Sequence, residues 1–411
     1  MRGIPRKIHA AIPAVVQSSS CRGSTTHQQQ RRSFLTHQSR SAAIQSLFQH
    51  LESNYGNLPS LIDTGPASET IVSDDGILHP HHLVRLFNHE ATALHVPNFF
   101  HPESAKRLGE ELIQESLRGG DNNWKVSTSR GLESSDVATL GEHSPYNVAV
   151  ARHQNNKGKE MERSSPVMDE YFEGVQREFG SRRRRRKSFT SNSNNEDVSD
   201  YYRLWPLDKL RLELEEAWPS GAGLARESMQ QSNNQLGNQQ SHPRPFGGGL
   251  PRIMKGPTRW KRGFIHVDEL GPLDATRGLF SANIYLTTPE SEKSDKEDMM
   301  QKVKDIGTDA KSNWRRDSGA LYVWPLGVRS RWDWYRNAMT LSSLSAQDPV
   351  MQLNLQHVLG KPNIIRPEPG DLVLLCAQRP HCAVGFNQGV RVSLQCFLEY
   401  NGLENRLLID C

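Results

Sequence analysis

The 411-residue chain carries 50 Lys and Arg against 46 Asp and Glu, a net charge of +4, with 35% hydrophobic residues and five cysteines. A balance this close to neutral gives no field that argues for a nucleic-acid or membrane-surface protein, and no apolar run approaches the ~20 residues needed to span a bilayer. Cys21, Cys376, Cys382, Cys396 and Cys411 form no CxxC pair and no regular framework, which points to reduced thiols in an intracellular compartment.

Residues 1–50 contain no Asp or Glu, the first acid being Glu52, but carry Arg2, Arg6, Lys7, Arg22, Arg31, Arg32 and Arg40 among many Ser, Thr and Gln. Acid-free, Arg- and Ser-rich composition is the signature of an organelle transit peptide. Arg32-Ser33-Phe34 is similar to a mitochondrial processing site, so a mitochondrial location is expected. The alternatives are a plastid address and a basic tail on a cytoplasmic protein.

A short helix is expected over 42–53. In 83–117 a helix ends, a strand ALHVPNFF (93–100) follows, and a second helix begins near Pro102 with Leu108, Leu112 and Ile113 on one face. Residues 124–150 read as strand and loop, 166–179 as a helix. The stretch 181–200 is charged and poor in apolar residues, hence without a core of its own. Its cations, Arg182 to Lys187, have no interleaved aromatics, so they read as a solvated insertion more readily than as a nucleic-acid site. Residues 206–218 form a helix with Leu207, Leu210 and Leu214 on one face.

A polar insertion follows, and then a series of β-like runs: LPRIMK (250–255), GFIHVDEL (263–270), LFSANIYLTT (279–288), GALYVWP (319–325), DLVLLCA (371–377) and VRVSLQCFLEY (390–400). Between them, 290–318 reads as an exposed charged stretch and 331–359 as helical. This divides the chain into a leader (1–50), a support region of helices and strands (75–225), a low-complexity insertion (226–249) and a β-rich core (250–411). Helices followed by strands predict a mainly β, α+β protein in which a sandwich or barrel is flanked by helices.

A strand places residues i and i+2 on one face, about 6–7 Å apart, so His266 and Asp268 project together while Ile265 and Val267 pack the opposite layer. The third ligand for a metal held there must come from another strand, and His381, after the turn-launched strand DLVLLCA, is the best candidate. Arg391 follows ten residues on.

H-x-D, a long interval, a distal His and an Arg ten residues later resembles the iron(II)- and 2-oxoglutarate-dependent oxygenases. The resemblance covers about 80–400 and implies a double-stranded β-helix of the jelly-roll or cupin type. It implies His266, Asp268 and His381 as ligands to non-haem Fe(II), with Arg391 forking onto the distal carboxylate of 2-oxoglutarate. FSANIYLTTPE and GALYVWP look like the strand pair that follows the first ligands in that family. The interval from Asp268 to His381, 113 residues, is longer than in many members, with 290–318 and 331–359 as the loops between strands that account for the excess. O2 is the implied oxidant and ascorbate a candidate reductant. An intact Asp268 argues for hydroxylation, desaturation or oxidative ring closure and against halogenation.

Secondary candidates are weighed beside plainer roles. On the inward parity of SANIYL with Ser281, Asn283 and Tyr285 are candidates to hydrogen-bond the cosubstrate, or else line the barrel. Ser393 points the same way as Arg391. Lys261 and Arg262 are surface charges or contacts for an acidic substrate, and Arg130 is a candidate substrate contact. Trp332, Trp334 and Tyr335 line a lid or pack a helix. Cys382 faces the other layer, and HPHH (79–82) reads as exposed. The expected substrate is a small molecule or amino-acid-derived metabolite. The competing readings are a protein prolyl or lysyl hydroxylase and a non-catalytic cupin-like binding protein.

Overall fold

The computed structural model describes residues 69–128, 131–143, 169–180, 204–227, 243–269, 271–289, 317–329 and 349–411, with single positions at 49, 333, 337, 340, 341 and 344. The expected helix at 42–53, apart from Gln49, lies outside the described residues, as do Arg130, the insertion 181–200, Trp332, Trp334, Tyr335 and most of the stretches 227–249 and 290–318.

In chain order the elements are β1 (Thr70–Val72), α1 (Pro80–Phe87), β2 (Ala93–Val96), α2 (Pro102–Glu115), β3 (Asp121–Thr128), β4 (Gly131–Leu140), α3 (169–180) and α4 (Pro206–Ala217). They continue with β5 (Ala222–Leu224), β6 (Leu250–Lys255), β7 (Gly278–Thr287), β8 (Leu321–Val323), α5 (Pro349–Leu359), β9 (Asn363–Ile365), β10 (Leu372–Cys376), β11 (His381–Ala383), β12 (Val390–Tyr400) and β13 (Leu407–Asp410).

Helices α1, α2 and α4 each open on a proline at the first helical position, where its missing N–H costs nothing and its fixed φ suits the turn. The predicted apolar face of α4 is buried as Leu207, Leu210 and Leu214. In α2 the buried face is Ala105, Gly109 and Leu112, with Leu108 and Ile113 packed at its margin. A Cβ on Gly109 would lie 2.5 Å from the Thr287 methyl, so this helical glycine is what lets α2 approach β7 closely.

Two sheets build the core. The large one runs β1-β2-β10-β7-β12-β6-β4-β3, with β13 on the distal half of β12 and β5 beyond it; the small one is β11-β8-β9. From β7 onward the chain crosses between them, large (β7), small (β8, β9), large (β10), small (β11), large (β12). Segment 264–268 joins the small sheet through a bridge from His266 to His381. Four antiparallel strands facing four shorter segments in this winding form a double-stranded β-helix.

Alternation along the strands sorts the side chains into layers. Ala282, Ile284, Leu286, Leu372, Leu374, Val392 and Leu394 point out of the large sheet into the main core under α1, α2 and α4. Tyr285, Val373 and Leu375 point inward and meet Leu321, Val323 and Ile365 of the small sheet. Outside the small sheet, Ile265, Trp324, Leu355 and Cys382 form a third layer with α5. Buried on both faces, β10 reads as the unbroken run LVLLC.

The PEPGD turn is fixed by Asp371, whose carboxylate accepts from the Asn98 and Glu368 backbone N–H groups and contacts His95 at 2.8 Å. Four short strands, β1, β5, β9 and β13, were not anticipated; three or four residues are too few for alternation to show. Among the described residues no helix is long and apolar enough to cross a membrane.

Candidate metal centre

The stretch GFIHVDEL is corrected by the structure: it forms no strand, and among the described residues its one ladder pairing is the bridge between His266 and His381. That bridge is reciprocal. His266 N donates to His381 O at 3.1 Å and His381 N donates to His266 O at 2.9 Å. The two histidines are thus tied by their own peptide groups, with ring centroids 4.5 Å apart. Asp268 is placed by a donation from its N–H to Ala377 O, 2.9 Å. The missing ladder on the other side of Ile265 is replaced by the amide of Gln352 on α5.

Both rings are oriented in the same way. His266 Nδ1 lies 2.9 Å from Phe264 O, and His381 Nδ1 lies 2.8 Å from Arg379 O. A carbonyl only accepts, so each Nδ1 carries the proton and each Nε2 presents a lone pair. The two Nε2 atoms face Asp268, at 3.6 Å from Oδ1 for His266 and 3.3 Å from Oδ2 for His381. One ligand atom from each residue can be chosen so that all three lie within 4.8 Å of one another. Phe264 stacks on His266 at 5.6 Å, on the inward parity predicted for it.

The electrostatics favour a cation. Burial, helped by the neighbouring His381, pulls His266 down to about 4, so it is neutral at physiological pH. Burial works against charge on Asp268, but His381, His266 and Arg252 outweigh it and hold the carboxyl below its usual range. Burial also works against charge on His381, and Asp268 outweighs that and raises it. Asp268 Oδ2 is buried without a hydrogen-bond partner, although His381 Nε2 is near. Two acceptors face one another there, a contact that a shared proton or a metal ion relieves. Two neutral imidazoles and one carboxylate, on one side of a point, fit a divalent transition metal and leave positions open.

Arg391 projects from β12 into the space between the sheets. One guanidinium nitrogen contacts the Met254 sulfur, a weak acceptor, at 2.8 Å, and Nη1 is buried without a hydrogen-bond partner among the described residues. Burial depresses its pKa, with Tyr285 and Cys382 acting against that. Tyr285 and Ser393, opposite each other in the β7–β12 register, complete the surroundings. A half-satisfied guanidinium and an orphaned metal-facing carboxylate together fit a chelating dicarboxylate.

The remaining candidates fall as follows. Asn283 faces inward, but its amide donates to Ser281 Oγ at 3.0 Å, and Gln395 donates to the same oxygen at 2.6 Å. Lys261 Nζ donates to Phe386 O and is tied to that loop, and the Arg262 carbonyl accepts from Gln356. Cys382 is buried in the outer layer, as expected. His79, His81 and His82 cluster at the start of α1, with His79 and His82 partly covered and His79 on Asp75 at 2.6 Å. Among the described residues the triad is the sole grouping of three His, Cys, Asp or Glu with metal-ligand geometry. A cleft of about 540 Å³ lined by residues such as Arg211, Glu215 and Arg406 includes none of the triad.

Two residues escaped the sequence. Arg252 lies on the inner face of β6, and Gln352 reaches in from α5. A cation flanked on both sides by apolar residues, in LPRIM (250–254), was the available signal for the first.

No family model matches the chain, and no curated protein does. Solved structures do. The chain is similar to the non-heme α-ketoglutarate-dependent carbocyclase SnoK from nogalamycin biosynthesis, at 12% identity and TM-score 0.35, covering 82% of this chain and 99% of that one. An N-substituted L-amino acid dioxygenase from Burkholderia ambifaria aligns at 10% identity and TM-score 0.30, covering 71% and 100%. A prolyl-4-hydroxylase from Pseudomonas putida aligns at 12% and 0.29, covering 78% and 98%. Likeness at this level decides neither substrate nor reaction.

Proposed function

We propose that the chain is an Fe(II)- and 2-oxoglutarate-dependent oxygenase that oxidises a C–H bond of a small, amino-acid-derived molecule. The observation that carries this reading is a pair of unmet needs: His266, Asp268 and His381 bring their ligand atoms within 4.8 Å of one another, and among the described residues Asp268 Oδ2 and Arg391 Nη1 are buried without a hydrogen-bond partner. Bound there, the iron, the keto acid and O2 supply the oxidising power for hydroxylation, desaturation or ring closure, with succinate and CO2 as products.

The chain's own part is positional. The reciprocal peptide bonds of His266 and His381 hold two ligands in fixed relation, and the carbonyls of Phe264 and Arg379 keep the Nε2 lone pairs aimed inward. Arg391 orients the cosubstrate by its far carboxylate, with Tyr285 and Ser393 beside it. Val373, Leu375, Leu321 and Val323 keep the floor apolar and exclude water from the reacting centre.

The test is succinate release from 2-oxoglutarate with Fe(II) and O2, across a panel of amino-acid derivatives. Succinate from the wild type and none from Asp268→Ala supports the reading. Tight metal binding without succinate under any condition favours the binding-protein alternative, and turnover only with peptide substrates favours a protein hydroxylase. We further propose that residues 1–50 are a mitochondrial address; Edman sequencing of the protein purified from its own cells, showing that segment intact, would remove this.

A further inference from the structure

Arg252 sits on β6 opposite Ser393 of β12 and Thr139 of β4. Ile253 packs into the core behind the large sheet, so Arg252 and Met254 share the inner face with Arg391, whose guanidinium touches the Met254 sulfur. Arg391 pairs with Met254, which makes Arg252 its diagonal neighbour across the two strands. That spacing lets two long side chains address one cavity.

The Arg252 guanidinium makes no hydrogen bond or ion pair among the described residues. Protein surrounds it closely enough for burial to depress its pKa, with Asp268 and Cys411 acting against that, yet it retains access to solvent. An enclosed but reachable cation with no partner among the described residues is the expected state of a residue that awaits an anion, because a charge drawn partly away from water is stabilised by a counter-ion. On the same face Thr139 Oγ1 and Gln395 Oε1 are also buried without a hydrogen-bond partner among the described residues.

Charge points the same way. A divalent ion with Asp268, Arg391 and Arg252 leaves the site strongly positive, and a dicarboxylate held by the metal and Arg391 neutralises only part of it. The cation left over is Arg252.

We propose that Arg252 anchors the substrate to be oxidised, which carries a carboxylate that forks onto this guanidinium. The proposal rests on the oxygenase reading above and adds the substrate class to it. Arg391 holds the cosubstrate; Arg252, one pleat away, sets which C–H bond lies over the metal and discriminates acids from their neutral derivatives.

The experiment measures binding, not turnover. Protein loaded with Mn(II) and N-oxalylglycine, a stable 2-oxoglutarate mimic, is titrated calorimetrically with N-acetyl-L-proline, N-acetyl-L-leucine, 4-methylvalerate and benzoate, each beside its primary amide. At least one acid binds the loaded wild type, with its amide about tenfold or more weaker. Arg252→Gln removes that preference and keeps N-oxalylglycine affinity within about threefold, which also shows the variant folded. Arg391→Gln instead loses N-oxalylglycine. No binding by any acid, equal binding by the amides, or a preference that survives in Arg252→Gln overturns the proposal, as does loss of N-oxalylglycine in Arg252→Gln alone. Failure of the wild type to bind N-oxalylglycine sinks the oxygenase reading itself.

Discussion

The Gln352 side chain closes both hydrogen bonds of Ile265: its Oε1 accepts from Ile265 N at 2.7 Å and its Nε2 donates to Ile265 O at 3.0 Å. Ile265 precedes His266 of the candidate metal triad, and it is buried with no neighbouring strand on that side among the described residues. One amide from α5 thus does what a sheet partner does elsewhere. Gln352→Leu leaves a buried N–H and C=O unpaired, at roughly 1–3 kcal/mol each. Thermal unfolding should show that loss, and Mn(II) affinity should fall about tenfold or more, as for other groups that orient ligands. An unchanged melting temperature together with unchanged affinity would show that the clamp is dispensable.

Arg391→Lys separates charge from geometry. A lysine keeps a point charge but cannot fork onto a carboxylate, so metal affinity should stay near wild type while 2-oxoglutarate affinity drops by about tenfold or more. Equal affinities, measured by calorimetry with Mn(II) present, would argue that Arg391 does not meet a carboxylate.

His89 provides a pH signature. It is buried, stacks on Phe280, and burial, with the charge of Arg379 nearby, pulls it from 6.5 down to about 3. A depressed folded pKa means the unfolded chain binds the extra proton between those values. Stability is therefore full above pH 6.5 and falls as pH drops toward 3, by up to about 1.4 kcal/mol per unit. His89 has φ 60, which asparagine tolerates. Urea unfolding of His89→Asn between pH 4 and 7 should show a shallower pH slope than wild type; parallel slopes would assign the acid sensitivity elsewhere.

Gly370 holds the turn that launches β10. Its φ is 102, and a Cβ there would lie 2.2 Å from Phe100 O, whose N–H donates to Gly370 O at 2.8 Å. Gly370→Ala should destabilise by roughly 1–3 kcal/mol or more, read as a lower urea midpoint with the m-value kept. A midpoint within error of wild type would contradict the turn's rigidity.

What the sequence made legible follows from which forces are local. His266 and Asp268 share a face by strand parity alone, and the same parity sorted Ser281, Asn283 and Tyr285 inward from Ala282 and Ile284. Proline starts and apolar spacing placed α2 and α4 to within a residue or two. Gln352 was not legible, because its partner lies 87 positions away and α5 must dock before the pairing exists. Arg252 was not legible either: its neighbours Pro251 and Ile253 are apolar, and only the register with Ser393 shows which way it points. Segment 263–270 read as a full strand because its composition suits one, yet composition says nothing about whether a partner strand is available.

The central claim, one metal and one dicarboxylate in the cavity of His266, Asp268, His381 and Arg391, is tested most directly by anaerobic titration of Fe(II) with 2-oxoglutarate. The account predicts a weak visible metal-to-ligand charge-transfer band in the wild type, absent in His266→Ala and weakened in Arg391→Ala. Folded wild-type protein that shows no such band would contradict it.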